Sequence, residues 1–144
     1  MFSTTDSFEG NSDTGVVANT SAFFTCSNSS IANNGNGGIL ITDHSALRLI
    51  SCSASANAGN GVILQRGSEA RFDSYSGAAT VTSNSGSGVL VRDLALVFFS
   101  PGANITGNLG AADVSCGPVF SATRGFANLT GATTNCPAEL PPTP

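Results

Sequence analysis

Only a tenth of this 144-residue chain is charged, so its reactive side chains are few and their spacing can be weighed one by one. Asp43, Arg66 and Asp93 recur at intervals close to 25 residues. Brought together, they would form a charged column whose carboxylates could bind a cation. The same column can also be purely structural, because two carboxylates opposed by one arginine leave little charge for calcium, which takes about six to eight oxygens. His44 is the single histidine, with Ser45 beside it and Ser68 further along. A histidine within hydrogen-bond reach of a serine, oriented by Asp43 or Asp93, would form a hydrolytic triad. No G-x-S-x-G elbow accompanies it, and a solitary histidine in a turn is otherwise simply solvated. With one histidine and four cysteines that lack C-x-x-C spacing, no metal site and no cofactor is expected.

These residues sit in a repeat. "NSDTGVVANTS", "NNGNGGILITDHS", "NAGNGVILQRGS" and "NSGSGVLVRDLA" are four copies of one phrase, and "NLGAADVSC" is a worn fifth. The leading asparagines are Asn11, Asn34, Asn57, Asn84 and Asn108. Four residues on come Gly15, Gly38, Gly61 and Gly88, with Ala112 in the last copy. Three residues before each asparagine is an apolar one: Phe8, Ile31, Ala54, Val81 or Ile105. A period in this range marks stacked units, none of which can bury its apolar face alone.

Strand phase can be counted from each glycine. The first and third residues after it are Val16 and Ala18, Ile39 and Ile41, Val62 and Leu64, Val89 and Val91. Since alternate side chains face opposite sides, and the fourth residue is polar (Asn19, Thr42, Gln65, Arg92), positions one and three face the core. A second strand directs Phe24 and Cys26, Leu47 and Leu49, Ala70 and Phe72, and Phe98 in the fourth unit, inward around Thr25, Arg48 and Arg71. A third carries the apolar residue before each asparagine. Three short strands in about 23 residues predict an all-β, right-handed parallel β-helix of about four to five turns, with rungs about 4.8 Å apart. The asparagines then stack in a turn, where an amide can bond the next amide and tolerates a left-handed backbone. The expected organisation is repeats over residues 1–115, a C-terminal cap over 116–136 and a flexible Pro-rich tail over 137–144.

The N-x-G-x-G-[IV]-x-[IV] phrases resemble the right-handed β-helix repeats of the pectate-lyase-like superfamily, over roughly residues 8 to 116. The resemblance implies a fold and not an activity, for that superfamily spans lyases, hydrolases, epimerases, spikes and adhesins. Among its lyases, carboxylates hold calcium and an arginine takes the proton beside a uronate. Through that resemblance Asp43, Arg66 and Asp93 become candidates for a carbohydrate-active site.

Position two after each glycine reads Val17, Leu40, Ile63 and Leu90. Its parity is outward, so four aliphatics form a file on the surface, flanked on a neighbouring face by outward Phe23 and Phe99. Large exposed apolar patches mark partner surfaces. A second copy of the chain is the expected cover; the cap or tail folding over, or a substrate, are the other candidates. The start of the chain, "MFSTTDSFEG", already fits the end of a turn, as though a longer secreted array had been cut there, and an uncovered strand edge invites pairing. It has no positive start followed by an apolar run, so no signal peptide is expected in this chain. No stretch is apolar enough for a membrane span. Five scattered arginines against nine acids, with a net charge of −4, disfavour nucleic acid and anionic membranes as partners.

Cys26 reads as a small buried hydrophobe. Cys116 and Cys136 bracket the cap, and a bridge between them would require an oxidising compartment. Unit three is four residues longer, at "DSYSGAAT", placing Tyr75 on a protruding loop. The leading expectation is a non-catalytic module of an extracellular or cell-surface protein that forms homo-oligomers through its aliphatic file. A carbohydrate-active lyase or hydrolase, and a small esterase using His44 with Ser45 or Ser68, are the enzymatic alternatives.

Overall fold

The computed structural model describes residues 2–74, 76–118 and 122–137; Tyr75 and the tail from residue 138 lie outside them. Strands are numbered in chain order and fall into three parallel sheets. Sheet A comprises β1 (Phe2–Thr4), β4 (Phe23–Ser27), β7 (Ala46–Ile50), β10 (Glu69–Asp73), β13 (Leu96–Phe99) and β16 (Ala122–Arg124). Sheet B comprises β2 (Ser7–Glu9), β5 (Ser30–Ala32), β8 (Ser53–Ser55), β11 (Thr80–Thr82) and β14 (Asn104–Thr106). Sheet C comprises β3 (Val16–Ala18), β6 (Ile39–Ile41), β9 (Val62–Leu64), β12 (Val89–Val91) and β15 (Val114–Cys116). Each strand pairs only with the corresponding strands of the rungs above and below, so the chain winds A to B to C about five times. Beyond β15, residues of the predicted cap continue the stack: β16 pairs with β13, and Thr134 bridges to Val114.

The core is a file of side chains from each sheet. Ile39, Ile41, Val62, Leu64, Val89 and Val91 are buried from sheet C, while Phe24, Leu47, Leu49 and Phe72 come from sheet A and Ile31, Ala54, Val81 and Ile105 from sheet B. One rung departs from the predicted phase. In β13, Val97 and Phe99 point inward, at 0% and 3% exposure, and Phe98 points outward with its ring 5.4 Å from the Arg71 guanidinium carbon. Every residue of "LVFF" is apolar, so alternation supplies no phase there; register with β10, where Val97 lies opposite Ala70 and Phe99 opposite Phe72, sets it.

The stacked asparagines bind the rungs together. Asn11, Asn34, Asn57 and Asn84 each donate both the backbone N–H and Nδ2–H to Oδ1 of the asparagine one rung on, with Nδ2–Oδ1 distances of 2.8 to 2.9 Å. Asn34, Asn57 and Asn84 are at most 1% exposed, and their remaining Nδ2–H bonds reach the carbonyls of Phe8, Ile31 and Ala54. The ladder also explains the glycines. A Cβ on Gly15, Gly38, Gly61 or Gly88 would lie 2.5 to 2.9 Å from Nδ2 of the next rung's asparagine, so only glycine leaves room for the amide.

The last rung corrects the sequence alignment. Val89 pairs with Val114, and the Val89 N–H donates to the Asp113 carbonyl. Asp113, not Ala112, therefore occupies the glycine position. With no further asparagine to accommodate, a side chain fits, and it ends the ladder: Asp113 Oδ1 accepts from Asn108 N and Nδ2, both at 3.0 Å. Its Oδ2 accepts from Thr133 N at 3.1 Å and Oγ1 at 3.0 Å.

Two disulfides close the structure. Cys116 joins Cys136, drawing the final segment onto sheet C. Cys26 joins Cys52 across a Cα separation of 6.0 Å, so Cys26 is half of a buried crosslink from β4 to the turn after β7 and not a free thiol.

Candidate functional site

The turn from sheet C to sheet A places two successive residues in the left-handed region on four adjacent rungs: Thr20 and Ser21, Asp43 and His44, Arg66 and Gly67, Asp93 and Leu94, with φ between 53° and 70°. Side chains at such a corner project into solvent. Asp43, Arg66 and Asp93 do form one file. Arg66 Nη1 lies 3.3 Å from Asp43 Oδ1, and Asp93 Oδ2 lies 3.8 Å from Arg92 Nε. Arg92 also donates to Gln65 Oε1, and Gln65 Nε2 donates to Thr42 Oγ1 at 3.3 Å. Both carboxylates thus face a guanidinium at the surface, an arrangement worth a few tenths to about 1 kcal/mol per pair. Among the described residues no group of three His, Cys, Asp or Glu could hold a metal ion.

His44 is exposed at this corner, with its ring against Gly67, where a Cβ would come within 3.0 Å of it. Ser45 and Ser68 are each 1% exposed. Their hydroxyl oxygens are engaged within the stack: Ser45 Oγ accepts from Ala22 N at 3.1 Å and Ser68 Oγ accepts from Ser45 N at 3.3 Å. Proximity in sequence placed His44 next to these serines, but among the described residues it forms no hydrogen bond with either. The serines act as turn hydroxyls that satisfy a backbone donor of the preceding rung.

The three sheets present three chemically different outer faces. On sheet C, Val17, Leu40, Ile63 and Leu90 lie in one register file. Val17 is 54% exposed and the other three are half-buried, alongside the polar chain of Thr42, Gln65 and Arg92. Ser115 ends the file, its Oγ 2.7 Å from Ser87 Oγ. Sheet A is charged and aromatic: Arg48 pairs with Asp73, Arg71 covers Phe98, and Phe23 is 51% exposed, whereas Phe99, expected outside, is in the core. Sheet B is hydroxylated. Its outward files are Ser7, Ser30, Ser53, Thr80 and Asn104, then Glu9, Ala32, Ser55, Thr82 and Thr106. Sequence reading passed over this third face, although the S-x-S and T-x-T triplets recur at a fixed place in units two and three. Where sheets A and B meet, a shallow depression of about 570 Å³ is lined by hydroxyl and amide groups including Asn28, Ser30, Ser51 and Ser53.

Among the described residues one carboxyl is clearly perturbed. Burial would raise the pKa of Asp113, but hydrogen bonds from Asn108 and Thr133 outweigh it and hold the group below the ordinary carboxylate value.

Three parallel sheets wound rung upon rung, with an amide ladder at one corner, define a parallel β-helix. Residues 3–113 match the family described as right handed beta helix region, and the chain belongs to that family. A pectate-lyase-like relationship is consistent with this. No curated protein and no solved structure matches the chain.

Proposed function

We propose that this chain is a non-catalytic β-helix module that self-associates through the outer face of sheet C. The observation that carries this reading is the register file of Val17, Leu40, Ile63 and Leu90: four aliphatics, on adjacent rungs, all on the solvent side of one sheet. Covering that file removes apolar surface from water at about 25 cal/mol per Å², and a twofold related copy offers the same surface in return. A catalytic reading draws less support. Both carboxylates of the corner file are opposed by arginine, and both candidate serines are buried as turn hydroxyls. Two disulfides favour an oxidising compartment and hence an extracellular or cell-surface parent.

Light scattering coupled to gel filtration tests the proposal. The native chain is expected to run as a dimer or larger species, and Leu40→Glu as a monomer with an unchanged strand signal in circular dichroism. A native protein that stays monomeric at high concentration, with its apolar file free to take up hydrophobic dye, overturns it.

A further inference from the structure

Three Asn-Gly pairs fall within the repeats, Asn34–Gly35, Asn36–Gly37 and Asn60–Gly61, and the fold treats them differently. An Asn-Gly peptide is chemically labile because glycine, with no Cβ in the way, lets its backbone nitrogen reach the side-chain carbonyl of the asparagine before it. The reaction needs that nitrogen stripped of its proton and the amide free to turn toward it. Asn34–Gly35 meets neither condition. Gly35 N–H donates to the Asn11 carbonyl at 2.8 Å, and the Asn34 amide is held in the ladder, accepting from Asn11 and donating to Asn57 and to the Phe8 carbonyl. In Asn60–Gly61, Gly61 N–H donates to the Ser87 carbonyl at 3.0 Å, and Asn60 Oδ1 accepts from Ser87 N at 2.8 Å.

Asn36–Gly37, between β5 and β6, has neither lock. Gly37 N–H has no hydrogen-bond partner among the described residues. The Asn36 side chain is exposed, and its Nδ2 donates to Asp13 Oδ1 at 3.0 Å on the surface. We infer that Asn36 is a site of spontaneous deamidation, with water as the co-reactant, and that its conversion loosens the first rung. The Gly37 nitrogen gives its proton to hydroxide and attacks Asn36 Cγ. A cyclic imide closes as the Cγ–Nδ2 bond breaks, and ammonia leaves with a proton returned by solvent. Water then opens the imide at either carbonyl, giving aspartate or the isomer whose backbone runs through the former side chain. Both products act on the joint between the first two rungs. Asn36 N–H donates to the Asp13 carbonyl, and the Gly37 carbonyl accepts from Gly15 N–H, so the labile peptide lies between two bonds that join those rungs. A carboxylate at position 36 faces the Asp13 carboxylate where an amide had donated. The isomer also adds a backbone carbon between the two bonds and moves them out of register.

The inference is independent of the sheet C proposal. Peptide mapping by mass spectrometry tests it on the intact oxidised chain held in mildly alkaline buffer and, in parallel, on the chain reduced and unfolded in urea. All three pairs are expected to convert at similar rates when unfolded. In the native chain Asn36 should convert at least about tenfold faster than Asn34 or Asn60, since one net hydrogen bond supplies a factor of that size. The aged protein should then lose hydrogen-exchange protection in β2 and β3 ahead of the central rungs. Asn36→Ser, whatever its starting protection, should show no such change with age. Equal conversion of the three pairs in the native chain overturns the inference, as does an Asn36 that survives over the time in which the unfolded chain converts it. Protection in β2 and β3 that is undiminished in the converted protein overturns the loosening of the first rung.

Discussion

A glycine at the head of each sheet C strand and an asparagine four residues earlier are one physical unit seen from two rungs. The amide of the next rung fills the space where a Cβ would be, and the buried amide then satisfies donors and acceptors that would otherwise be orphaned at about 1–3 kcal/mol each. Asp113 shows the same rule at its boundary, since its carboxylate takes four hydrogen bonds from Asn108 and Thr133. Because those bonds lower its pKa in the folded state, the unfolded chain takes up the proton first as pH falls. The stabilisation is therefore complete above the unfolded carboxylate value of about 3.9 and is lost as pH drops through the lower folded value. Asp113→Asn, which turns one acceptor into a donor facing the Thr133 N–H, should cost about 2 kcal/mol at neutral pH. Thermal melts should show the difference between native protein and variant shrinking as the solution is acidified below pH 4.

At the scale of strands and turns, most of the architecture was legible because the period itself supplies the phase. Counting from glycine put Val16, Ile39, Val62 and Val89 on the core side without any estimate of propensity. Position nine from Gly88 is Val97, so the same count places Phe98 outside; the unbroken apolar run "LVFF" hides that phase, since any residue in it could face the core. The Cys26–Cys52 bridge was not legible, since the two residues differ in rung and in position, and Cys26 lies in register with Leu49. The serines beside His44 misled in a different manner, because sequence reveals neighbours and not which way a turn hydroxyl points. The C-to-A turn yields a prediction of its own. Leu94 is left-handed at φ 66° and 66% exposed, so its backbone is strained without compensating burial. Gly67 holds the equivalent place one rung earlier. A left-handed non-glycine residue costs about 1–2 kcal/mol, partly offset by the extra unfolded-state freedom of glycine. Leu94→Gly should accordingly stabilise the fold by up to about 1 kcal/mol, seen as a rise of a few degrees in melting temperature.

Taken as a whole, the molecule is a three-sided prism whose sides carry aliphatic, charged and hydroxylated chemistry. One winding core supports all three, so a substitution on one side can be judged without reference to the others, provided the rungs stay stacked. The disulfides act at this level. Each crosslinks residues 20 or 26 positions apart, and a bridge closing a loop of that size contributes about 3 kcal/mol in the chain-entropy account. Replacing Cys116 and Cys136 together by serine is expected to lower the unfolding midpoint in urea and to release the final segment first. Hydrogen exchange should show β16 and residues 133–135 losing protection ahead of the central rungs.

The asparagine ladder has a direction, which bears on how such a prism could change length. From one side chain to the next, each asparagine donates towards the carboxyl end, and Asp113 receives from both Asn108 and Thr133, so the sense of the chain of bonds reverses there. A unit pasted after Asp113 would meet a neighbour with the wrong polarity, whereas a copy of residues 34–56 spliced into the middle meets donor with acceptor at both seams. Growth of this kind of protein by internal duplication is thus chemically smooth, and extension past that aspartate is not.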